Sequence, residues 1–278
     1  MPLPLIDRLH ALYPDASRTT LRKWLAAGRV RVHGAVERRG ETPVAPGERV
    51  LLGAPPPPAF PEPLRLVHEE EQFLVVDKPA GLLTIATERE RERTAYRLLA
   101  GYVEGQARRA RGPRLFIVHR LDRETSGLLV LAKSGAAKGA LQAQFKARRV
   151  ERLYVAVVDG RVDADAGRLE SFLVQDRALR VRASRDTRRG KEAVTLYRVL
   201  ERRRDSTVLE LTLQTGRRGQ IRAQLAELGH PVSGDAAYGS RRNPIRRVCL
   251  HATRLGFVGP DGRPLRFDSP VPSSFRRA

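Results

Sequence analysis

Three clusters of side chains in the 278-residue sequence have types and spacing that could do chemistry. They are HRLDRETSG at 119–127, the β-branched stretch that carries Tyr154, and TGRRGQIR at 215–222. In the first, Asp122 stands between Arg120 and Arg123, and cations close to a carboxyl lower its pKa, which would keep it ionised as a nucleophile or base near neutral pH. An aspartate in a surface turn with ordinary, weak ion pairs has the same local sequence. Asp122 and Glu124 make a poor acid–base pair of the glycosidase kind. Residues at i and i+2 point about 200° apart on a helix, and on a strand they share a face about 7 Å apart with nothing to give them different protonation. In the third cluster Gly216 and Gly219 precede a helical pattern, whose free N–H groups suit an anion. Arg217, Arg218 and Arg222 add charge there. Arg222 lies about 100° around the helix from Ile221, at the edge of the apolar stripe, from which a cation can reach inward to a carboxylate. A plain turn with solvated arginines fits the same residues.

Such groups need a scaffold. FLVVDKPAG reads as a buried strand, Phe73 to Val76, that turns at Lys78-Pro79-Ala80-Gly81. GLLVLA, 127–132, is a second apolar run of strand length. Residues 136–148 suit a helix with Leu141 and Phe145 at i, i+4, and LYVAVVDG then forms the strand holding Tyr154. Residues 220–228 read as a helix with Ile221, Leu225 and Leu228 on one face, stopped by Gly229-His230-Pro231. Upstream, GAPPPPAFPEP at 53–63 favours extended polyproline over packing and is expected to be a linker. Before it, Leu5, Leu9 and Leu12 share a helical face. Ser17 can cap a second helix with Leu21, Trp24 and Leu25 as its stripe, and Gly28 ends it. RVRVHG then alternates as a strand, Val30 and Val32 on one face, Arg29 and Arg31 on the other. The expected organisation is a small unit at 1–52, the linker at 53–63 and a larger mixed unit at 64–278.

Composition narrows the partners. Against 31 Asp and Glu there are 52 Lys and Arg, a formal charge of +21, while 41% hydrophobic content is too apolar for a disordered polyelectrolyte. A folded chain this basic points first to a polyanion whose phosphates release counterions on binding. Cys249 is the single cysteine, so no intrachain disulfide forms and no oxidising compartment is needed. The six scattered histidines follow no metal-ligand spacing. No run approaches the roughly 18 apolar residues of a membrane span, and Asp7 and Arg8 interrupt the position of a signal-peptide core. A soluble, cytoplasmic protein is expected.

HRLDRETSGLLVLAKS, taken with DKPAGL, KEAVTLY, LQTGRRGQIRAQLAELGHPVSGDAAYG and LHATRLGF in that order, resembles the RluA-type pseudouridine synthases over about residues 64–270. The stretch from Ser17 to Leu52 resembles the alpha-L RNA-binding motif found in a ribosomal protein, tyrosyl-tRNA synthetases and several RNA-modifying enzymes. This resemblance implies an α+β fold, with a catalytic domain on a mixed, mainly antiparallel sheet behind a small N-terminal α/β RNA-binding domain. It implies Asp122 as catalytic carboxylate, Tyr154 as the tyrosine stacked on the base and a candidate for taking the C5 proton, and Arg222 as the partner of the aspartate. Arg120, Ile221, Arg217 and Arg218 would contact the flipped nucleotide. Arg18, Arg22, Lys23, Arg29 and Arg31 would bind RNA through the N-terminal unit. It implies no cofactor, no metal and a monomer acting on RNA, with large-subunit ribosomal RNA favoured. A synthase directed at transfer RNA and a non-catalytic RNA-binding assembly factor on the same fold are the alternatives. Two positions depart from the family pattern: Gly219 stands where histidine is usual, and Arg152 where lysine is usual.

Overall fold

The computed structural model describes residues 2–54, 58–106, 114–176, 181–184 and 190–278. The chain divides into two units, Met1–Ala59 and Phe60–Ala278. That boundary falls inside the proline-rich stretch, of which residues 55–57 lie outside the described residues. Phe60 packs edge-on to Tyr102 with 5.0 Å between ring centroids, so the last part of the stretch belongs to the second unit.

The first unit comprises β1 (Leu3–Pro4), α1 (Leu5–Leu12), α2 (Arg18–Ala26), β2 (Val30–Val32), β3 (Ala35–Val36), β4 (Pro43–Val44) and β5 (Val50–Leu52). Ser17 Oγ accepts the Thr20 N–H at 3.2 Å and starts α2, and Gly28, at φ +66°, lets the chain turn into β2. Leu5, Leu9, Leu21, Leu25 and Val30 form the core. Leu12 does not join them and is 44% exposed. It is the last residue of α1, and Tyr13, edge-on to Trp24 at 5.4 Å, fills the space beside the core instead. Of the five expected RNA-binding cations, Arg18 pairs with Asp7 at 2.8 Å, while Arg29 lies over Trp24 and donates to the Gly53 carbonyl at 3.1 Å. Arg31 bonds the Gly34 carbonyl at 3.0 Å, and Arg22 and Lys23 are exposed.

The second unit contains β6 (Arg65–Glu69), β7 (Phe73–Lys78), α3 (Ala95–Gln106), β8 (Phe116–Ile117), β9 (Ser126–Ala132), α4 (Gly135–Lys146) and β10 (Glu151–Asp159). It continues with β11 (Ala166–Gln175), β12 (Val181–Ser184), β13 (Lys191–Arg202), β14 (Ser206–Leu213), α5 (Gln220–Glu227), β15 (Leu250–Val258) and β16 (Pro264–Asp268). These strands form one 11-stranded sheet in the order β12-β11-β13-β14-β10-β15-β9-β7-β6, with β16 beside β15 and β8 beside β9. All its ladders are antiparallel except β15 with β9. The expected α+β architecture with a mainly antiparallel sheet is what the second unit shows.

Both faces of the sheet centre are covered, which explains the unbroken apolar run of β9. Leu129 and Leu131 pack in one core with Leu99 and Val103 of α3, whereas Leu128 and Val130 pack in the other with Ala137 and Leu141 of α4. At the parallel crossing Gly127 has φ +112°, and a Cβ there would lie 2.2 Å from the Ala252 carbonyl oxygen. Only glycine permits that approach. Leu228, expected in the buried stripe of α5, is 38% exposed because it caps the helix rather than continuing it. Among the described residues no helix is long and apolar enough to cross a membrane.

Candidate active site

Asp122 sits on the loop between β8 and β9, and that loop is held by its neighbours rather than by its own sequence. Thr84 clamps it at Leu121: the hydroxyl donates to the Leu121 carbonyl at 2.7 Å and accepts the Leu121 N–H at 3.2 Å. Beyond Asp122, the Gly81 N–H donates to the Arg123 carbonyl at 2.7 Å, and Arg123 Nε returns a bond to the Gly81 carbonyl at 3.1 Å. Lys78 ties the same turn from below. Its fully buried ammonium donates to the carbonyls of Pro79 at 2.9 Å and Leu82 at 2.8 Å, and more weakly to that of Arg123 at 3.4 Å. Burial brings its pKa down to about 7.

The turn ahead of α5 is organised by the buried Gln220 side chain. Its carbonyl oxygen accepts from Thr215 Oγ1 at 2.8 Å and from the Arg217 N–H at 3.0 Å, and its amide donates to the Val194 carbonyl at 3.0 Å. Gly219 adopts φ +59°, and a Cβ there would meet the Tyr238 hydroxyl at 2.8 Å, so the histidine usual at this place has no room here without moving Tyr238. Opposite Leu153 and Tyr154 of β10 the pairing with β15 shifts register, with Thr253 of β15 as the extra residue of a bulge beside the tyrosine.

These three pieces close around one cavity of about 290 Å³. Asp122, Tyr154 and Arg222 line it together with Arg120, Ile221, Arg217 and Arg218, so the three separate sequence clusters become one site. Its volume lies at the lower end of the roughly 300–1,000 Å³ of small-molecule sites, the scale of a single nucleoside rather than a helix. Arg120, Arg217 and Arg218 are exposed at its edge, while Ile221 and Tyr154 are buried in its wall. Arg217 is partly committed elsewhere, its Nε donating to the Glu192 carbonyl at 3.0 Å.

The electrostatics reverse one expectation. Asp122 is not held below the ordinary carboxylate pKa but pushed above it, because burial outweighs the attraction of Arg222, with Glu124 adding repulsion against the pull of Arg120 and Arg218. Nor does Arg222 form the expected charge-assisted hydrogen bond with it. Arg222 Nη1 stands 3.7 Å from Asp122 Oδ2, an ion pair beyond hydrogen-bond length, and 2.9 Å from Glu124 Oε2. Its Nε and Nη2 grip the carboxylate of Asp235 at 2.6 and 2.8 Å, and Tyr238 lies under the guanidinium at 4.9 Å. Burial works against the charge of Arg222, but Asp235 first and then Glu124 and Asp122 raise its pKa. Burial likewise lifts the Tyr154 phenol to about 12, helped by Asp122 and opposed by Arg152, so at neutral pH it is an O–H donor.

Arg152, two residues before Tyr154, is buried in the same wall. Its Nη2 donates to the Leu213 carbonyl at 3.2 Å, while its Nε–H has no partner among the described residues. His119, at the head of the aspartate motif, stacks on Phe145 at 4.8 Å and accepts the Val130 N–H at 3.2 Å. Burial first and Arg152 second depress its pKa to about 3, so it is a neutral structural ring.

Residues 72–227 match the family model described as RNA pseudouridylate synthase. The chain belongs to that family. The synthase is 36% identical to the protein named ribosomal large subunit pseudouridine synthase D of Neisseria meningitidis serogroup B, over 95% of this chain and 75% of that one. It is 36% identical to the protein of the same name from Pseudomonas aeruginosa, over 97% and 89%, and 34% identical to an uncharacterized RNA pseudouridine synthase of Aquifex aeolicus, over 95% and 89%. Among solved structures, human RNA pseudouridylate synthase domain containing 1 superposes with a TM-score of 0.63 and 26% identity, covering 78% of this chain and 86% of that one.

Sequence reasoning missed two carboxylates of this synthase site. Asp235, 1% exposed, lies in SGDAAYG, where an acid after a glycine turn is a signal only once Arg222 is known to face it. Glu124 is examined in the sequence only as a partner for Asp122, whereas its bond goes to Arg222. The N-terminal cations Arg18, Arg22, Lys23, Arg29 and Arg31 belong to the other unit.

Proposed function

We propose that this synthase converts specific uridines of large-subunit ribosomal RNA to pseudouridine, with Asp122 as the catalytic carboxylate, acting as a monomer in the cytoplasm. The observation that carries the reading is the convergence of Asp122, Tyr154 and Arg222 on one nucleoside-sized cavity edged by Arg120, Arg217 and Arg218. The names of the bacterial relatives support ribosomal RNA, and the helix–strand unit at the N-terminus supports a second RNA contact through Arg22, Lys23 and their neighbours.

The reaction breaks the bond from C1′ to N1, turns the uracil and joins C5 to C1′, with the C5 proton released and a proton taken up at the freed N1. No group or electron is gained or lost, so the chain's own residues suffice. The target atoms are shielded inside a stacked helix, so the nucleotide must be extruded at a cost of a few kcal/mol and restacked, with Tyr154 as the receiving face. Ionised Asp122 starts the reaction by attack at C1′, by taking the C2′ proton, or by attack at C6. Detached uracil is anionic, and Arg120, Arg218 and the unpaired Nε–H of Arg152 supply the charge that retains it while it turns.

A transcript of large-subunit ribosomal RNA with tritium at uridine C5 tests this directly. Release of tritium, with pseudouridine mapped to a defined position and no free uracil, is the expected result. Free uracil would mark a hydrolase, and no release from ribosomal RNA would remove the substrate. Tyr154→Phe keeps the stacking ring but loses the hydroxyl, and tritium release is expected to slow by about 10²–10³-fold, the usual weight of a positioned proton-transfer group. RNA affinity should stay unchanged. Normal turnover in that variant would exclude a proton role for the phenol.

A further inference from the structure

Arg222 has three nitrogens and three carboxylates around it, and the way they are shared is uneven. Asp235, almost wholly buried, takes Nε and Nη2. That turns Nη1, with its two N–H groups, towards both Glu124 and Asp122, and it stands nearer Glu124, at 2.9 Å, than Asp122, at 3.7 Å. The two carboxylates differ in surroundings. The Asp122 side chain is 18% exposed and lines the nucleoside-sized cavity, whereas that of Glu124 is 41% exposed and borders a second, larger cavity of about 580 Å³ shared with Arg123 and Arg246. The two lie two residues apart on one loop, and both of that loop's neighbours, the 78–82 turn and Thr84, hold it by its backbone, leaving these side chains to settle their own positions.

We infer that Glu124 is a positioning residue that disfavours the ionised form of Asp122 by drawing Arg222 Nη1 towards itself and by adding like charge beside it. The inference rests on Asp122 being the catalytic carboxylate. Asp122 is faced by Arg222 from α5, Arg218 from the turn before it, Tyr154 from β10, Lys78 from β7, Tyr238 from the short helical turn at Ala236–Tyr238, and Arg120 and Glu124 from its own loop. Glu124 is the one carboxylate neighbour among these, and it acts on Asp122 twice in the same direction. It adds like charge nearby, and it draws the guanidinium to itself, leaving Nη1 beyond hydrogen-bond length from Asp122. Both effects favour the protonated, inactive carboxyl.

Glu124→Gln should therefore help the enzyme at low pH. The acid limb of kcat/KM reports the free enzyme's essential base. In this variant it is expected to move down by about one pH unit, a gain of about tenfold on the limb. An unmoved limb, or a variant slow at every pH, would overturn the inference. Asp122→Asn assayed alongside separates the two levels: activity retained there defeats the assignment of Asp122, whereas a dead Asp122→Asn with an unmoved Glu124→Gln limb defeats only the role of Glu124.

Discussion

Replacing Asp122 with Asn is expected to cut turnover by about four orders of magnitude, roughly 5.4 kcal/mol of transition-state stabilisation, while the protein still folds and still binds its RNA. The amide is the same size as the carboxyl but cannot ionise, so every route open to Asp122 loses its starting group. Binding should survive because the cations at the cavity edge and the Tyr154 wall are untouched. Stability should rise rather than fall, and the sign follows from the environment. Burial raises the folded-state pKa of Asp122 above its ordinary 3.8, so the ionised form is less favourable in the folded chain than in the unfolded one. That cost is absent below 3.8 and grows as pH rises until it is complete above the folded-state pKa. Asn removes it. A thermal melt of the variant at neutral pH should match or exceed the parent, with the difference closing in acid, and a single-turnover assay should show bound, unconverted RNA. Near-normal turnover would end the assignment.

Asp235→Ala is expected to damage both stability and catalysis. Asp235 receives two of the three donor positions of Arg222 from inside the protein, at 2.6 and 2.8 Å. Its removal strands a buried guanidinium whose remaining bonded carboxylate is the half-exposed Glu124. Breaking one side of a buried pair costs about 3–5 kcal/mol, which for a domain of this size lowers the melting point by roughly 10 °C. The surviving folded enzyme should turn over about 10²-fold more slowly, since a cation free to swing no longer stands where Asp122 can use it. Asp235→Asn, which keeps the shape and one acceptor, should recover much of the melting point and less of the rate. That split separates aiming Arg222 from merely holding the fold. Equal recovery of both would show that Asp235 serves packing alone.

The chain's local patterns announce the elements that carry the site. The β-branched run after Tyr154, Val155 to Val158, reads as a strand, and β9 reads as buried on both faces because it is apolar at every position from 127 to 132 except glycine. Ser17 marks the start of α2 by type alone, since capping chemistry is local, and Gly219 stands just before the helical pattern of α5. Leu12 and Leu228 show the limit of periodicity: each fits its stripe, and each lies at a helix end beyond the core it was expected to meet.

Sequence by itself determined which residues could react, which strands and helices would carry them, and that so basic a chain would seek a polyanion. Only the tertiary structure decided who pairs with whom. The partners of Arg222 lie 98 and 13 residues away, and β15 reaches its place beside β10 across the whole of residues 160–249. The charge of Asp122 was settled there too. Flanking arginines are visible in the one-dimensional order, but desolvation depends on everything packed around a carboxyl, and here it outweighs them.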